Sequence, residues 1–341
     1  MIRESISKLV EGQDLTRAEA ETVMHEIMDG AATHAQMAAF LTALRVKGET
    51  VDEITGCAHV MRQKAIAVRP TRTDLVDTAG TGGDGAGTFN ISTTAAFVIA
   101  GAGLGVAKHG NRAVSGQSGS ADVLEALGVN LDLAPVQVAQ CIDQVGIGFL
   151  FAQKLHPAMK NVAPVRKELG VRTIFNILGP LTNPAHASAQ IVGVYDERLA
   201  CTLASVLLAL GVRAAFVFHS DDGLDELTTT DVNCVAYFDN GVIHQDGIDA
   251  AQFGLPRASR AELRGGTPAE NAQTTRSILA GQERGAKRDV VALNAAAALV
   301  AGGKARDLRE GLDLAGDAMD SGRALAALNG LVTMGNCFKT V

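Results

Sequence analysis

The sequence predicts an α/β fold: a small all-helical domain, then a larger domain with a mostly parallel central sheet flanked by helices. Three observations carry this expectation. Residues 1–66 show three capping-box signatures, helical apolar spacing and no strand-like run. From residue 74, short β-type apolar runs alternate with helical runs, as parallel strands joined by crossover helices require. At the first such junction, five glycines fall within the eight positions from Gly80 to Gly87.

In the N-terminal segment the signatures are Thr16-x-x-Glu19, Thr33-x-x-Gln36 and Thr50-x-x-Glu53. In each, a threonine hydroxyl can accept from the N–H three residues on, while the Glu or Gln side chain returns to the cap N–H. Apolar residues follow at helical spacing, as in Met37, Phe40, Leu41 and Leu44, and Gly12, Gly30 and Gly48 punctuate the helix ends. Arg69-Pro70-Thr71 reads as a hinge or linker. Strands are expected over 75–78, 105–108, 147–152, 190–195 and 214–219. Helices are expected over 93–102, 121–127, 135–145, 197–210 and 267–280. Residues 237–243 read as a hairpin with a type I′ turn at Asn240-Gly241, and 294–300 and 324–331 return to helix.

The 341 residues are enough for about two domains, and 47% hydrophobic residues support a large core. A net charge of −7 argues against a nucleic-acid partner, so an anionic ligand would need a locally basic or metal-assisted site. Cys57, Cys141, Cys201, Cys234 and Cys337 are scattered without metal or disulfide spacing. No signal-peptide pattern and no membrane span are evident, and a reducing cytoplasm fits best.

The glycine loop continues through Asp84, Thr88, Asn90, Ile91, Ser92 and Thr93 into a helix. Glycine lets backbone approach an anion, and a helix start adds free N–H donors and partial positive charge. The loop lacks the Gly-Lys-Ser/Thr ending of the nucleoside-triphosphate type, so no lysine within it reaches a terminal phosphate. A tight structural turn is the plain alternative, but it needs fewer polar ligating groups than Asp84, Asn90, Ser92 and Thr93 supply.

A second cluster, Lys108-His109-Gly110-Asn111-Arg112-Ala113-Val114-Ser115-Gly116, leads to Ser118 and Ser120 at another helix start. Ligands in open α/β sheets bind beyond the carboxyl ends of strands, so both loops should open on one edge. Lys108 and Arg112 would supply the positive charge. Asp225-Glu226 lies in an acidic loop after a third strand. It is either a solvated loop or, beside phosphates, a magnesium site of oxygen ligands. Pro164 at a first helical turn places Arg166 one turn in, facing either a ligand carboxylate or its neighbour Glu168. The Gly179-Pro180 turn reads as structural.

Together, Gly80-Thr-Gly-Gly-Asp84, Asn90-Ile-Ser-Thr93, Lys108-His-Gly-Asn-Arg112, Ser118-Gly-Ser-Ala-Asp122, Ala163-Pro-Val-Arg166, Phe175-Asn-Ile-Leu-Gly-Pro180 and Asp225-Glu226 closely resemble the anthranilate phosphoribosyltransferases of tryptophan biosynthesis over essentially the full length. The resemblance implies a helical domain over 1–68, with helices from about 160–185 as a candidate addition, and a phosphoribosyl-binding α/β domain over 72–341. It implies a homodimer and magnesium, two ions per monomer. Phosphoribosyl pyrophosphate would bind Gly80, Gly83, Asp84, Thr88, Asn90 to Thr93, Lys108 to Gly116 and Ser120. Magnesium would use Ser92, Asp225 and Glu226. Anthranilate would meet Gly80, Asn111, Arg166, His156 and Gly179, with Lys108, Arg166 and His109 as catalytic candidates. Thr78-Ala79 stands where larger aliphatic residues are usual in the family, and Gly116 where a second serine is common. Two rival readings are a pyrimidine nucleoside phosphorylase-like enzyme and an inactive nucleic-acid-binding paralogue.

Overall fold

The computed structural model describes residues 1–113, 116–239 and 241–338. The chain opens with helices α1 (Ile2–Val10), α2 (Arg17–Met28), α3 (His34–Lys47) and α4 (Val51–Lys64). All three expected capping boxes form. The Thr16 hydroxyl accepts from the Glu19 N–H at 3.3 Å, and Glu19 accepts from the Thr16 N–H at 2.9 Å. Thr33 pairs with Gln36 and Thr50 with Glu53 in the same way. Such caps contribute about 1 kcal/mol each. Glu53 does more than cap: it is buried and also accepts from the Leu15 N–H at 2.9 Å and from Lys47 Nζ at 3.0 Å.

Residues 65–74 form neither helix nor strand, as the linker reading expects, but they are anchored. The Ile66 N–H donates to the Leu155 carbonyl at 2.8 Å and the Val68 N–H to the Pro184 carbonyl at 3.1 Å. The Asp143 carboxylate accepts from the Thr71 and Arg72 N–H groups.

Among the described residues one seven-stranded sheet forms, ordered β3-β2-β1-β4-β5-β6-β7. Its strands are β1 (Leu75–Gly80), β2 (Gly105–Gly110), β3 (Ile147–Phe151), β4 (Ala189–Gly193), β5 (Ala214–Ser220), β6 (Asn233–Asp239) and β7 (Val242–Ile248). The first five are parallel, and β6 and β7 add an antiparallel hairpin at one edge. The hairpin is longer than expected, and its turn residue Asn240 lies outside the described residues. Expected β3 and β4 run too far: Ala152 already begins a helix, and Tyr195 lies beyond the end of β4.

The helices of this part are α5 (Ile91–Gly101), α6 (Ser120–Ala126), α7 (Pro135–Val145), α8 (Ala152–Leu155), α9 (Ala163–Leu169), α10 (Phe175–Leu178), α11 (Leu199–Ala209), α12 (Pro268–Leu279), α13 (Ala286–Ala301), α14 (Leu308–Asp320) and α15 (Arg323–Cys337). One core gathers α5, α13 and α15 against one face of the sheet, and another joins α11, α2, α3 and α4. Val162, Val165, Ile174, Ile177 and Leu178 lie in that second core, and Asn161 Nδ2 donates to the Met28 carbonyl at 2.8 Å. Helix α14 was not expected from the sequence. Gly311, Gly316 and four acidic residues dilute its apolar stripe of Leu308, Leu312, Ala315 and Met319.

Candidate active site

The strand order reverses at β1, which has β2 on one side and β4 on the other. This is the switch point where open α/β sheets leave a crevice beyond their carboxyl ends. The glycine loop leaves β1 into it. Gly82, Gly83, Gly85 and Gly87 have φ between 65° and 82°, a region that disfavours side chains. Gly80 pairs in register with Gly193 at the end of β4. Both need glycine for space: a Cβ on Gly80 would lie 2.8 Å from Asp225 Oδ2, and one on Gly193 would lie 1.7 Å from the Asp225 carbonyl oxygen.

Two small residues therefore let the acidic loop after β5 press against the glycine loop. Asp225 Oδ2 accepts from the Gly82 N–H at 2.7 Å, and Glu226 Oε1 accepts from the Ser92 N–H at 3.1 Å at the start of α5. Burial pushes both carboxyl pKa values up; the Asp84 charge adds to this for Asp225, and the Asp225 charge for Glu226. Ser92, Asp225 and Glu226 are thus brought together. Among the described residues no three His, Cys, Asp or Glu side chains converge into a complete metal cage. Hard oxygen donors whose charged forms are disfavoured by burial and by one another fit magnesium, whose charge would offset theirs and which shares its coordination with substrate phosphates and water.

Lys108, near the end of β2, is 3% exposed. Its ammonium donates to the Thr78 carbonyl at 2.5 Å and to Thr78 Oγ1 at 3.1 Å. Burial lowers its pKa, opposed by the charges of Asp77 and Glu226. Next to it, His109 Nε2 lies 3.1 Å from His156 Nε2. The His109 ring is also hydrogen-bonded to the Gly179 backbone. A neutral His109 that donates to Gly179 accepts from His156 at Nε2, which leaves His156 Nδ1 as a bare acceptor. That atom is buried without a partner among the described residues. Burial, and for His109 also the neighbouring His156, pushes the pKa of His109 down to about 3 and that of His156 to about 4. Asp77 lies beneath the pair, accepting from the His109 N–H at 3.0 Å and from Asn183 Nδ2 at 2.8 Å.

Described residues on either side of the second loop are tied together. Ser120 Oγ accepts from the Asn111 N–H and donates to the Asn111 carbonyl, each at 3.1 Å. Asn90 ties the two loops, donating to the Ser118 carbonyl at 3.1 Å and accepting from Ser118 Oγ and Asn271 Nδ2. Ile91 and Thr93 are buried at the start of α5, and Thr88 bridges to Arg264. Arg112 is already engaged by Asp122 and Glu125, both at 2.9 Å, and Asp122 also accepts from the Ala113 N–H. Gly116 has open space around its α-carbon. Val114 and Ser115, both expected ligands, lie outside the described residues.

Arg166 lies in α9, with Pro164 in the first turn as expected. Among the described residues its guanidinium makes no ion pair, with Glu168 or otherwise, and it sits 5.5 Å from the centre of the Phe175 ring. Burial lowers its pKa. An unpaired, partly desolvated guanidinium is suited to receive a carboxylate. The sequence reading missed Asn271, Arg172 and Tyr195. Arg172 lies over the Tyr195 ring at 3.9 Å and donates to the Gly83 carbonyl.

Residues 72–325 match the a/b domain of the glycosyl transferase family, and residues 3–65 match its helical bundle domain. Anthranilate phosphoribosyltransferase of Symbiobacterium thermophilum is 57% identical over 323 residues, covering 95% of this chain and 94% of that protein. The enzyme of that name from Anaeromyxobacter sp. strain K is 58% identical over 332 residues, covering 97% and 98%. The crystal structure of anthranilate phosphoribosyltransferase from Thermus thermophilus has a TM-score of 0.93 at 44% identity, covering 97% of this chain and 99% of that one. The Saccharomyces cerevisiae enzyme in complex with phosphoribosyl pyrophosphate and magnesium has a TM-score of 0.89 at 26% identity, with 98% of each chain covered. By sequence along nearly its whole length, and by fold, the chain belongs to the anthranilate phosphoribosyltransferase family of glycosyl transferases.

Proposed function

We propose that this chain transfers the phosphoribosyl group of phosphoribosyl pyrophosphate to the amine of anthranilate, in tryptophan biosynthesis. The observation that carries this reading is the convergence of three elements at the switch point: the glycine loop, the buried Lys108 ammonium and the Asp225–Glu226 pair. In the reaction the ribose C1–O bond breaks, pyrophosphate leaves with the electron pair, and the anthranilate nitrogen bonds C1 and then sheds a proton. Aniline nitrogen is already a usable nucleophile, so the work falls on positioning and on neutralising the leaving group. Lys108 and the glycine-loop N–H groups serve the pyrophosphate. Ser92, Asp225 and Glu226 would hold magnesium, which would supply positive charge against the departing pyrophosphate. Arg166 binds the anthranilate carboxylate, and Gly80, Asn111, His156 and Gly179 frame its ring. Neutral His109, donating to Gly179 and accepting from His156 at Nε2, could take up a proton only by releasing His156.

The same reading includes two magnesium ions per monomer, a homodimer and a cytoplasmic location. It also assigns residues 160–185 to the working helical domain. Among the described residues no helix is long and apolar enough to cross a membrane. Metal titration and light scattering test the ion count and the assembly. The deciding experiment is anthranilate fluorescence, expected to fall only with phosphoribosyl pyrophosphate and Mg²⁺ both present. Constant fluorescence under those conditions would overturn the reading.

A further inference from the structure

Residues 81 to 83 of the glycine loop are each gripped by a different element. Thr81 Oγ1 accepts from the Tyr195 N–H at 3.0 Å, and the Thr81 N–H donates to the Gly193 carbonyl at 2.9 Å. The Gly82 N–H is held by Asp225 at 2.7 Å. The Gly83 carbonyl accepts from Arg172 Nη2, and that guanidinium lies 3.9 Å from the centre of the Tyr195 ring. Arg172 therefore closes a ring of contacts through Tyr195, Thr81 and Gly83. It belongs to the short connection between α9 and α10, entered through Gly170 at φ 61°. That connection follows the helix bearing Arg166 and precedes the turn bearing Gly179.

We propose that Arg172 is a positioning residue that latches the glycine loop, fixing the peptide after Gly83 so that its N–H faces the donor phosphates. A trans peptide is planar, with its C=O and N–H pointing oppositely. Holding the Gly83 carbonyl therefore turns the Asp84 N–H to the opposite side. Gly83 has φ 82° and no side chain, so its own backbone resists rotation of this peptide little, although the Asp84 side chain beyond it is held by Asp225 and by the Ala86 N–H. A Cβ at Gly83 would lie 3.2 Å from Arg172 Nη2, so glycine also makes room for the latch. The flat guanidinium does two jobs that an ammonium cannot combine: it stacks on Tyr195 and donates in its own plane.

The kinetic consequence rests on the transferase reading; the latch itself does not. The test compares Arg172→Ala, Arg172→Lys and Tyr195→Leu with the wild-type chain. In the ligand-free protein, amide exchange over residues 82–87 should speed up about tenfold in Arg172→Ala and Tyr195→Leu, and less in Arg172→Lys. In steady state, Arg172→Ala should raise the KM for phosphoribosyl pyrophosphate about tenfold. Its anthranilate KM and melting temperature should stay near wild type, because the side chain is exposed. Wild-type exchange in Arg172→Ala overturns the latch. So does a parallel rise of both KM values with a lowered melting temperature, which marks a merely structural residue. If the wild-type chain turns over no anthranilate, the transferase reading fails, and the exchange measurement still decides the latch.

Discussion

Thr78 holds the Lys108 ammonium twice, through its carbonyl at 2.5 Å and through Oγ1 at 3.1 Å, while the same hydroxyl donates to the Ser92 carbonyl at 3.1 Å. A buried ammonium without partners is costly, so this contact fixes where the positive charge sits. Thr78→Val keeps the shape and removes the hydroxyl. It should cost about 1–2 kcal/mol of stability in urea unfolding and raise the KM for phosphoribosyl pyrophosphate several-fold. Thr78→Ser should restore both. A fully stable Thr78→Val enzyme with wild-type KM would show that the carbonyl alone suffices.

Arg166 presents the complementary case, a guanidinium with a ring beneath it and no carboxylate. Arg166→Ala should raise the anthranilate KM by about 10- to 100-fold, the worth of a charge-assisted hydrogen bond, and change the donor KM little. Arg166→Lys should recover only part, lacking the planar fork. An unchanged anthranilate KM in steady-state assays would remove the residue from the substrate site.

For the acidic pair, stability and function should move in opposite directions. The raised carboxyl pKa values mean that the native state prefers protonated Asp225 and Glu226. The native state then binds more protons than the unfolded chain above the ordinary carboxylate range, so metal-free stability falls as pH rises toward and past neutrality. Asp225→Asn with Glu226→Gln should remove that fall and raise metal-free stability at pH 8 by about 1 kcal/mol or more. The same double variant should flatten the magnesium titration and lose activity. Chelator-treated thermal melts at pH 6 and 8, with calorimetric Mg²⁺ titration, check both halves.

How far the sequence reached depended on chain distance. Thr16, Thr33 and Thr50 announced their helices because a capping box lies within one turn. The glycine loop and the Lys108 loop were legible as candidates because their glycines and polar groups are consecutive in the chain. The bond from the Gly82 N–H to Asp225 was not legible. It joins residues 143 positions apart and exists only because Gly80 and Gly193 leave room at adjacent strand ends. Arg172 and Tyr195 carry no periodic signal, since both lie in connections placed by tertiary packing. Arg112 was expected to meet phosphate. Its pairing with Asp122 and Glu125 depends on where tertiary packing sets the end of β2 against α6.

The two histidines make the fold acid-sensitive in a defined window. An exposed histidine titrates near 6.5, whereas His109 and His156 are pushed down to about 3 and about 4 by burial. Between pH 6.5 and about 3–4 the unfolded chain binds protons that the native state refuses, so stability is lost as pH falls through that window. At pH 5 each ring should contribute about 1–2 kcal/mol to this loss. The two contributions are not additive, because the rings share one hydrogen bond at 3.1 Å. His156→Gln keeps a polar partner for His109 Nε2 and removes one buried imidazole. It should shrink the stability difference between pH 7 and pH 5, measured by urea unfolding, by about 1 kcal/mol. An undiminished pH dependence in that variant would mean that acid sensitivity arises elsewhere. In that case the bare Nδ1 of His156 would be protonated at little cost, and the pair would not be neutral in the native state.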